Sequence, residues 1–173
     1  MWGGKTIVGG LIGGLIAVEW TKKKLNIRER TGDLFAVPFC VGTAIGRIGC
    51  FLTGLEDDTY GQPTNLPWGI DFGDGIKRHP TQIYEVIFLV ILAGLLLFAM
   101  RRNHRQGDIF KAFMVAYCAW RLALDFLKVD PRFFGMNFLQ WACLAVLLYY
   151  AADIKRWITY KSKAQITLAA GES

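Results

Sequence analysis

Apolar positions in this chain come in blocks rather than in the stripes of an amphipathic soluble fold. Phe35 to Leu52, Ile83 to Met100, Ile109 to Leu127 and Phe133 to Ala152 are long apolar runs with few charges. About 20 such residues let an α-helix cross the hydrocarbon core of a bilayer. With their flanks, the runs predict spans at roughly Ile7–Trp20, Leu34–Leu52, Gln82–Met100, Ile109–Leu127 and Phe134–Ala152. The first is the weakest, with only about 14 apolar residues, and it carries neither the basic leader nor the small-residue cleavage site of a signal peptide. Its pairs Gly9/Gly13 and Gly10/Gly14 form small-xxx-small patterns, which let a neighbouring helix approach closely or simply make a packing face. The pattern predicts an all-α fold, a polytopic integral membrane helical bundle of about five transmembrane helices. Residues 1–155 would form the membrane-embedded domain with an outer loop at 53–80, and residues 156–173 a basic tail.

Composition sharpens this. The chain is 53% hydrophobic and 20% charged, a modest departure from an average soluble domain that becomes large through its distribution. A soluble single domain is disfavoured, and so is disorder, because the chain lacks the low hydrophobicity and high charge of unfolded segments. The net charge of +6 does not indicate nucleic acid, since the basic residues alternate with apolar blocks instead of sharing a face with stacking aromatics. Cys40, Cys50, Cys118 and Cys143 lie within apolar segments without CxxC spacing, so neither a zinc site nor a disulfide framework is indicated, and no cofactor is expected.

Lys and Arg accumulate on the cytoplasmic side of membrane proteins. Twelve of them fall in the first, third and terminal connections (Lys22, Lys23, Lys24, Arg28, Arg30; Arg101, Arg102, Arg105; Lys155, Arg156, Lys161, Lys163), against five on the other side (Lys5, Lys77, Arg78, Lys128, Arg132). This places the N-terminus outside and the C-terminus in the cytoplasm. The long connection Thr53–Pro80 is then external. It gathers Glu56, Asp57, Asp58, Asp71 and Asp74 among glycines and prolines. So long a loop without obvious secondary structure is more often functional than a plain joint, in which Tyr60 and Trp68 would be interfacial anchors.

Three basic residues remain. Lys111 sits in a first helical turn and can snorkel to the interface. Arg47 lies fourteen residues after Asp33 and Arg121 thirteen after Asp108, so both stand roughly 20 Å from the inner surface. A charge within a span costs about 2.5–3.5 kcal/mol when central. The carboxylates available to offset it are Asp125, one turn beyond Arg121, and Glu85, at the outer start of the third span. Such pairs can be structural glue. They can equally form an anion site, because guanidinium groups grip phosphate in bidentate fashion. Tyr117, one turn before Arg121, could join that face, and Gly46 and Gly49 leave the backbone beside Arg47 accessible.

At these residues the chain resembles the bacterial prolipoprotein diacylglyceryl transferase family over nearly its whole length. Gly9-Gly10-Leu11-Ile12-Gly13 is similar to the family's early glycine motif, and Gly46-Arg47-Ile48-Gly49-Cys50-Phe51-Leu52 followed by Gly61 resembles its signature segment. Leu66-Pro67-Trp68-Gly69 and Arg78-His79-Pro80-Thr81-Gln82-Ile83-Tyr84-Glu85 resemble its outer-loop motif. Tyr117, Arg121 and Asp125, followed by Asp130-Pro131, resemble its last block.

The resemblance implies transfer of a diacylglyceryl group from phosphatidylglycerol to the thiol of a lipobox cysteine at a prolipoprotein signal peptide, on the outer face of the bacterial inner membrane. Arg47, Arg121 and Tyr117 would then be catalytic, with the arginines on the phosphate. Gly9, Gly10, Gly46, Gly49, Cys50, Gly61, Arg78, Gln82, Tyr84, Glu85 and Asp125 would line the substrates. The family has two further N-terminal spans, and a His before its glycine pair where this chain has Val8. The thiol must be attacked as thiolate, from an ordinary pKa of about 8.5, so the base expected here is His79 or Glu85. The alternatives are a non-catalytic truncated family member binding anionic phospholipid or a partner span, and a small channel or transporter, which an internal repeat or paired broken helices would support.

Overall fold

The computed structural model describes residues 7–26, 32–102, 104–128, 137–151 and 155. Helices follow the apolar blocks: α1 Ile7–Leu25, α2 Asp33–Thr53, α3 Thr81–Met100, α4 Asp108–Leu124 and α5 Phe138–Tyr149. Two stretches, Asp33–Asp57 and Thr81–Met100, are long and apolar enough to cross a membrane. Their outward faces are greasy. Leu34, Phe35, Ile45 and Leu52 on α2 and Ile87, Val90, Ile91, Leu95 and Phe98 on α3 are all exposed, and a helix apolar all round is one made for apolar surroundings.

The inward face of α2 is read by spacing. Ala36, Cys40, Ala44 and Arg47 are buried on one side, and three small residues at helical intervals let α3 and α4 lie close against it. α3 answers with Glu85, Leu89, Leu92, Ala93 and Leu96. α4 adds Ile109, Phe113, Met114, Tyr117, Cys118 and Arg121. The Phe113 ring stacks between Phe39 and Tyr117, with centroids 6.2 and 5.8 Å away.

Asp33 fixes the register of two of these helices. Its carboxylate accepts from the backbone N–H groups of Gly107, at 2.6 Å, and Phe110, at 2.8 Å. These donors open α4 and have no partner within it, and a carboxylate there also meets the positive end of the helix dipole. Gly107 turns into the helix at φ 89°, a conformation that favours glycine. Since Asp33 also begins α2, the two helices start at one level. α5 starts with a reciprocal cap between Asn137 and Gln140, and Gln140 Nε2 reaches the Leu122 carbonyl of α4 at 3.3 Å.

The structure departs from the sequence expectations in several places. The connection between α2 and α3 is not without secondary structure: it holds a 3-10 turn at Gly54–Asp57 and a small antiparallel hairpin, β1 Ile70–Asp71 with β2 Lys77–Arg78. The Asp71 carboxylate gathers the N–H groups of Gly73, Asp74 and Gly75 to close the hairpin, a local turn chemistry that hydropathy does not report. The chain after Gly61 is sewn between two helix ends, with Gly61 N–H to His79 O at 2.9 Å and Gln62 N–H to Leu127 O at 2.7 Å. α1 extends beyond Trp20 through Lys22, Lys23 and Lys24 to Leu25. Among the described residues no close helix approach is made at Gly10, Gly13 and Gly14, which have nothing within 4 Å of where a Cβ would stand. The expected tail 156–173, Arg132 and Asp130-Pro131 lie outside the described residues.

Candidate functional site

The C-terminal ends of α2 and α4 and the start of α3 bring four charged side chains together, and Glu85 is their hub. Its Oε2 stands 2.8 Å from Arg47 Nε on α2 and accepts from Arg121 Nη1 on α4 at 3.0 Å. Its Oε1 accepts the Tyr117 hydroxyl at 2.9 Å. The second branch of Arg121, Nη2, lies 2.9 Å from Asp125 Oδ1. Arg47, Glu85, Arg121, Asp125 and Tyr117 are all buried. The Arg47 contact is one of charge at close range rather than an aligned hydrogen bond, so its Nε–H is left without an acceptor.

Register explains why the arginines meet. Asp33 ties the starts of α2 and α4 together, and the two side chains follow at nearly equal distances along them. Two guanidiniums carry ten N–H donors between them, and one carboxylate oxygen cannot occupy them. The Nε of Arg121 also has no acceptor. Donors therefore remain for an anion between the helices. Beside Arg47, a Cβ on Gly46 or Gly49 would meet nothing within 4 Å. Arg47 Nη1 also reaches the Cys50 sulfur at 3.9 Å.

The remaining sequence-selected residues lie around this cluster in two groups. Gln82 is one turn outward of Glu85 on α3. Its amide donates to the Thr59 hydroxyl at 3.1 Å, and its Oε1 is buried with no donor. Thr59 in turn donates to Asp57 in a short hydrogen bond. His79 and Tyr84 form a second group: Trp68 Nε1–H donates to the Tyr84 hydroxyl at 2.9 Å, and that hydroxyl lies 3.2 Å from His79 Nδ1. His79 does not cap α3. Pro80 takes the N-cap position and supplies no side-chain cap, because its ring carries no oxygen to accept a helix N–H.

Arg78 stands apart, gripping Asp74 with both branches at 2.7 and 2.6 Å and lying 4.8 Å over the Tyr60 ring. That grip holds the Asp74 carboxyl below the usual carboxylate range. Gly61 is required by close approach. A Cβ there would fall 2.7 Å from His79 Cβ, 2.9 Å from Thr81 Cγ2 and 3.0 Å from the Leu127 carbonyl. Gly9 lies on α1, which packs against α5, and beside it Gly10 is open.

One residue of the neighbourhood was counted in the sequence only as a loop charge. Lys128 follows the 3-10 turn Asp125–Leu127 that ends α4, and it is 8% exposed. Its ammonium stands near enough to Arg121, Arg47, Asp125 and Glu85 to feel all four. Burial first, then the like charges of Arg121 and Arg47, push its pKa down to about 8. The available signal was spacing: Arg121, Asp125 and Lys128 fall at intervals of four and three, one helical face.

The fold and its charged cluster define a helical membrane-type protein, with two arginines buried against one shared carboxylate at one end of an apolar bundle. The chain belongs to the prolipoprotein diacylglyceryl transferase family, whose sequence model matches residues 1–154. Among its relatives is the phosphatidylglycerol–prolipoprotein diacylglyceryl transferase of Clostridium tetani, 38% identical over 136 residues, 75% of this chain and 53% of that protein. The enzyme of the same name from Polynucleobacter necessarius is 34% identical over 94% of this chain and 63% of its own length. That of Finegoldia magna is 33% identical over 93% and 63%. The chain thus spans between 53% and 63% of the length of these relatives.

Proposed function

We propose that the chain transfers the diacylglyceryl group of phosphatidylglycerol to the thiol of a lipobox cysteine at a prolipoprotein signal peptide. The site would open to the outer leaflet of the bacterial inner membrane, in a bundle of about five spans with its N-terminus outside. The observation that carries this reading is the meeting of Arg47 and Arg121 at Glu85, in a chain whose relatives bear that enzymatic name.

In this reading the lipid phosphate takes the N–H donors that Glu85 leaves over. The thiolate attacks the glycerol carbon that bears the phosphate ester. A carbon–sulfur bond forms, the carbon–oxygen bond breaks, and the electron pair leaves with glycerol phosphate. Arg47 and Arg121 hold that growing charge, an interaction stronger in the transition state than in the bound lipid. Tyr117, Glu85 and Asp125 orient the two guanidiniums. The buried, donor-free Gln82 Oε1 suits a headgroup hydroxyl. Cys50, Gly46 and Gly49 border the arginine side of the pocket, and the Arg78–Asp74 pair and Gly61 shape its outer rim. Gly9 and Gly10 would flank the acyl chains or the signal peptide.

Glu85 serves poorly as the thiol base, because its oxygens already face two guanidiniums and a phenol. His79 is the base in this proposal, with Nδ1 turned to Tyr84 and Nε2 left for the proton. The test is incubation of the purified chain with phosphatidylglycerol and a lipobox peptide, read by mass spectrometry. The expected result is a thioether adduct with equimolar glycerol phosphate. Lipid binding without adduct would instead identify a non-catalytic lipid-binding member.

A further inference from the structure

Within the Arg47–Glu85–Arg121–Asp125 cluster the charges cancel, two guanidiniums against two carboxylates. A site with no net charge has no reason of its own to draw an anion out of the interface. Among the described residues, the charge that decides its sign is Lys128. Arg47 faces it from α2, Glu85 from α3, and Arg121 and Asp125 from the end of α4.

Its position is built rather than incidental. The Lys128 N–H closes on the Asp125 carbonyl at 3.3 Å, and Gln62 Nε2 reaches the Lys128 carbonyl at 3.4 Å. The same Gln62 donates its backbone N–H to Leu127. The external loop therefore clamps the end of α4 and keeps a lysine buried beside two arginines, where an exposed one would have swung into water.

We propose that Lys128 is a third, proton-switched cation of the phosphate pocket: it takes up a proton as a singly charged phosphodiester binds, turning a neutral site into one of matching charge. This rests on the reading of the cluster as a phosphate site. In the empty site burial and the neighbouring arginines bring its pKa down to about 8, so that above this pH the amine is mostly neutral, and an arriving anion reverses that preference, because an opposite charge at short range favours the ammonium. Binding and protonation then help each other by the same factor. Arginine at this position would stay charged at every accessible pH and would have no such switch. The sign follows: affinity is highest where Lys128 is already protonated, and falls as pH rises through its titration in the empty site, near 8.

The experiment is isothermal calorimetry of the full chain in maltoside micelles with dihexanoyl phosphatidylglycerol, whose phosphodiester keeps one charge across the range. It is run from pH 7 to 9.5 in paired buffers of different ionisation heat. At pH 8.5 the wild type is expected to take up about three-quarters of a proton per lipid. Its affinity is expected to weaken toward about tenfold per pH unit above that. Lys128→Arg should bind with no proton uptake and a flat profile. Lys128→Met should bind more weakly, also without uptake, and the arginine variant keeps the test open if the methionine protein fails to fold. Binding by the wild type with a flat profile, or uptake that persists in Lys128→Arg, overturns the role of Lys128 and leaves the phosphate site standing. No binding by any variant at any pH overturns both.

Discussion

Arg47 and Arg121 approach the same oxygen of Glu85, at 2.8 and 3.0 Å. Two guanidiniums so close repel one another, and only the shared carboxylate and the second anion, Asp125, make the arrangement tolerable in a buried setting. Structural glue needs aligned hydrogen bonds as well as the one acid for each base that Glu85 and Asp125 supply. Here one contact is unaligned, and an Nε–H remains without an acceptor on each arginine. Such a cluster keeps N–H donors in reserve for another anion, although its own charges cancel.

Replacement of Arg121 by Ala is expected to reduce adduct formation on the lipobox peptide by at least about a hundredfold, the scale seen when one preorganised donor to a developing oxyanion is removed. Arg121→Lys should recover little, because an ammonium cannot reach Glu85 and Asp125 with two separate branches. Single-turnover measurements by mass spectrometry would decide. Normal transfer by Arg121→Ala would remove the arginine from the phosphate.

Glu85→Gln keeps the shape of the hub and removes its charge. Breaking a buried ion pair from one side costs about 3–5 kcal/mol, since the remaining charge is uncompensated. The variant should therefore melt earlier in detergent than the wild type. Added phosphatidylglycerol, an anion that can stand in for the lost carboxylate, should return part of that loss and raise the variant's melting temperature more than the wild type's. Equal lipid-induced shifts would mean that the lipid phosphate does not reach the arginines.

Much of this cluster was legible in the sequence, and the reasons are physical. Charges inside apolar runs are costly enough to stand out, so Arg47 and Arg121 declared themselves. Equal distances from Asp33 and Asp108 gave their common level; helical spacing offered Asp125 as a partner, and position at the start of the third span offered Glu85. That Glu85 would be the shared hub could not be read, because three helices must pack before one oxygen lies between two arginines. Lys128 was missed because a loop lysine is normally a solvated one, and its backbone is held by Gln62, which comes from the connection between α2 and α3. The hairpin in the α2–α3 connection escaped notice because it is held by one Asp carboxylate and positive-φ glycines rather than by an apolar pattern.

Asp33 is expected to matter at a distance. Asp33→Ala removes the acceptor for two N–H groups at the start of α4, a cap whose loss costs about 0.5–2 kcal/mol. It also releases the tie between the starts of α2 and α4. Both stability in detergent and transfer should fall, although Asp33 lies at the opposite end of the helices from Glu85. Asp33→Asn, which keeps one acceptor, should lie between. A stability loss with transfer wholly unchanged would show that the register of the arginines is set elsewhere.

The role of His79 is separable from that of its neighbours. His79→Ala removes the proposed base and spares every group on Glu85, so phosphatidylglycerol binding should persist while adduct formation drops by about 10²–10⁴-fold, the usual contribution of a general base. Tyr84→Phe removes only the hydroxyl that holds Nδ1 and receives the Trp68 N–H, and is expected to cause a smaller loss, because the ring keeps its place but not its orientation. The two variants are compared on the lipobox peptide by mass spectrometry, with lipid binding measured alongside. If the His79→Ala protein forms adduct at the wild-type rate, the proton leaves the thiol by another route and the Trp68–Tyr84–His79 chain serves the loop, not the reaction.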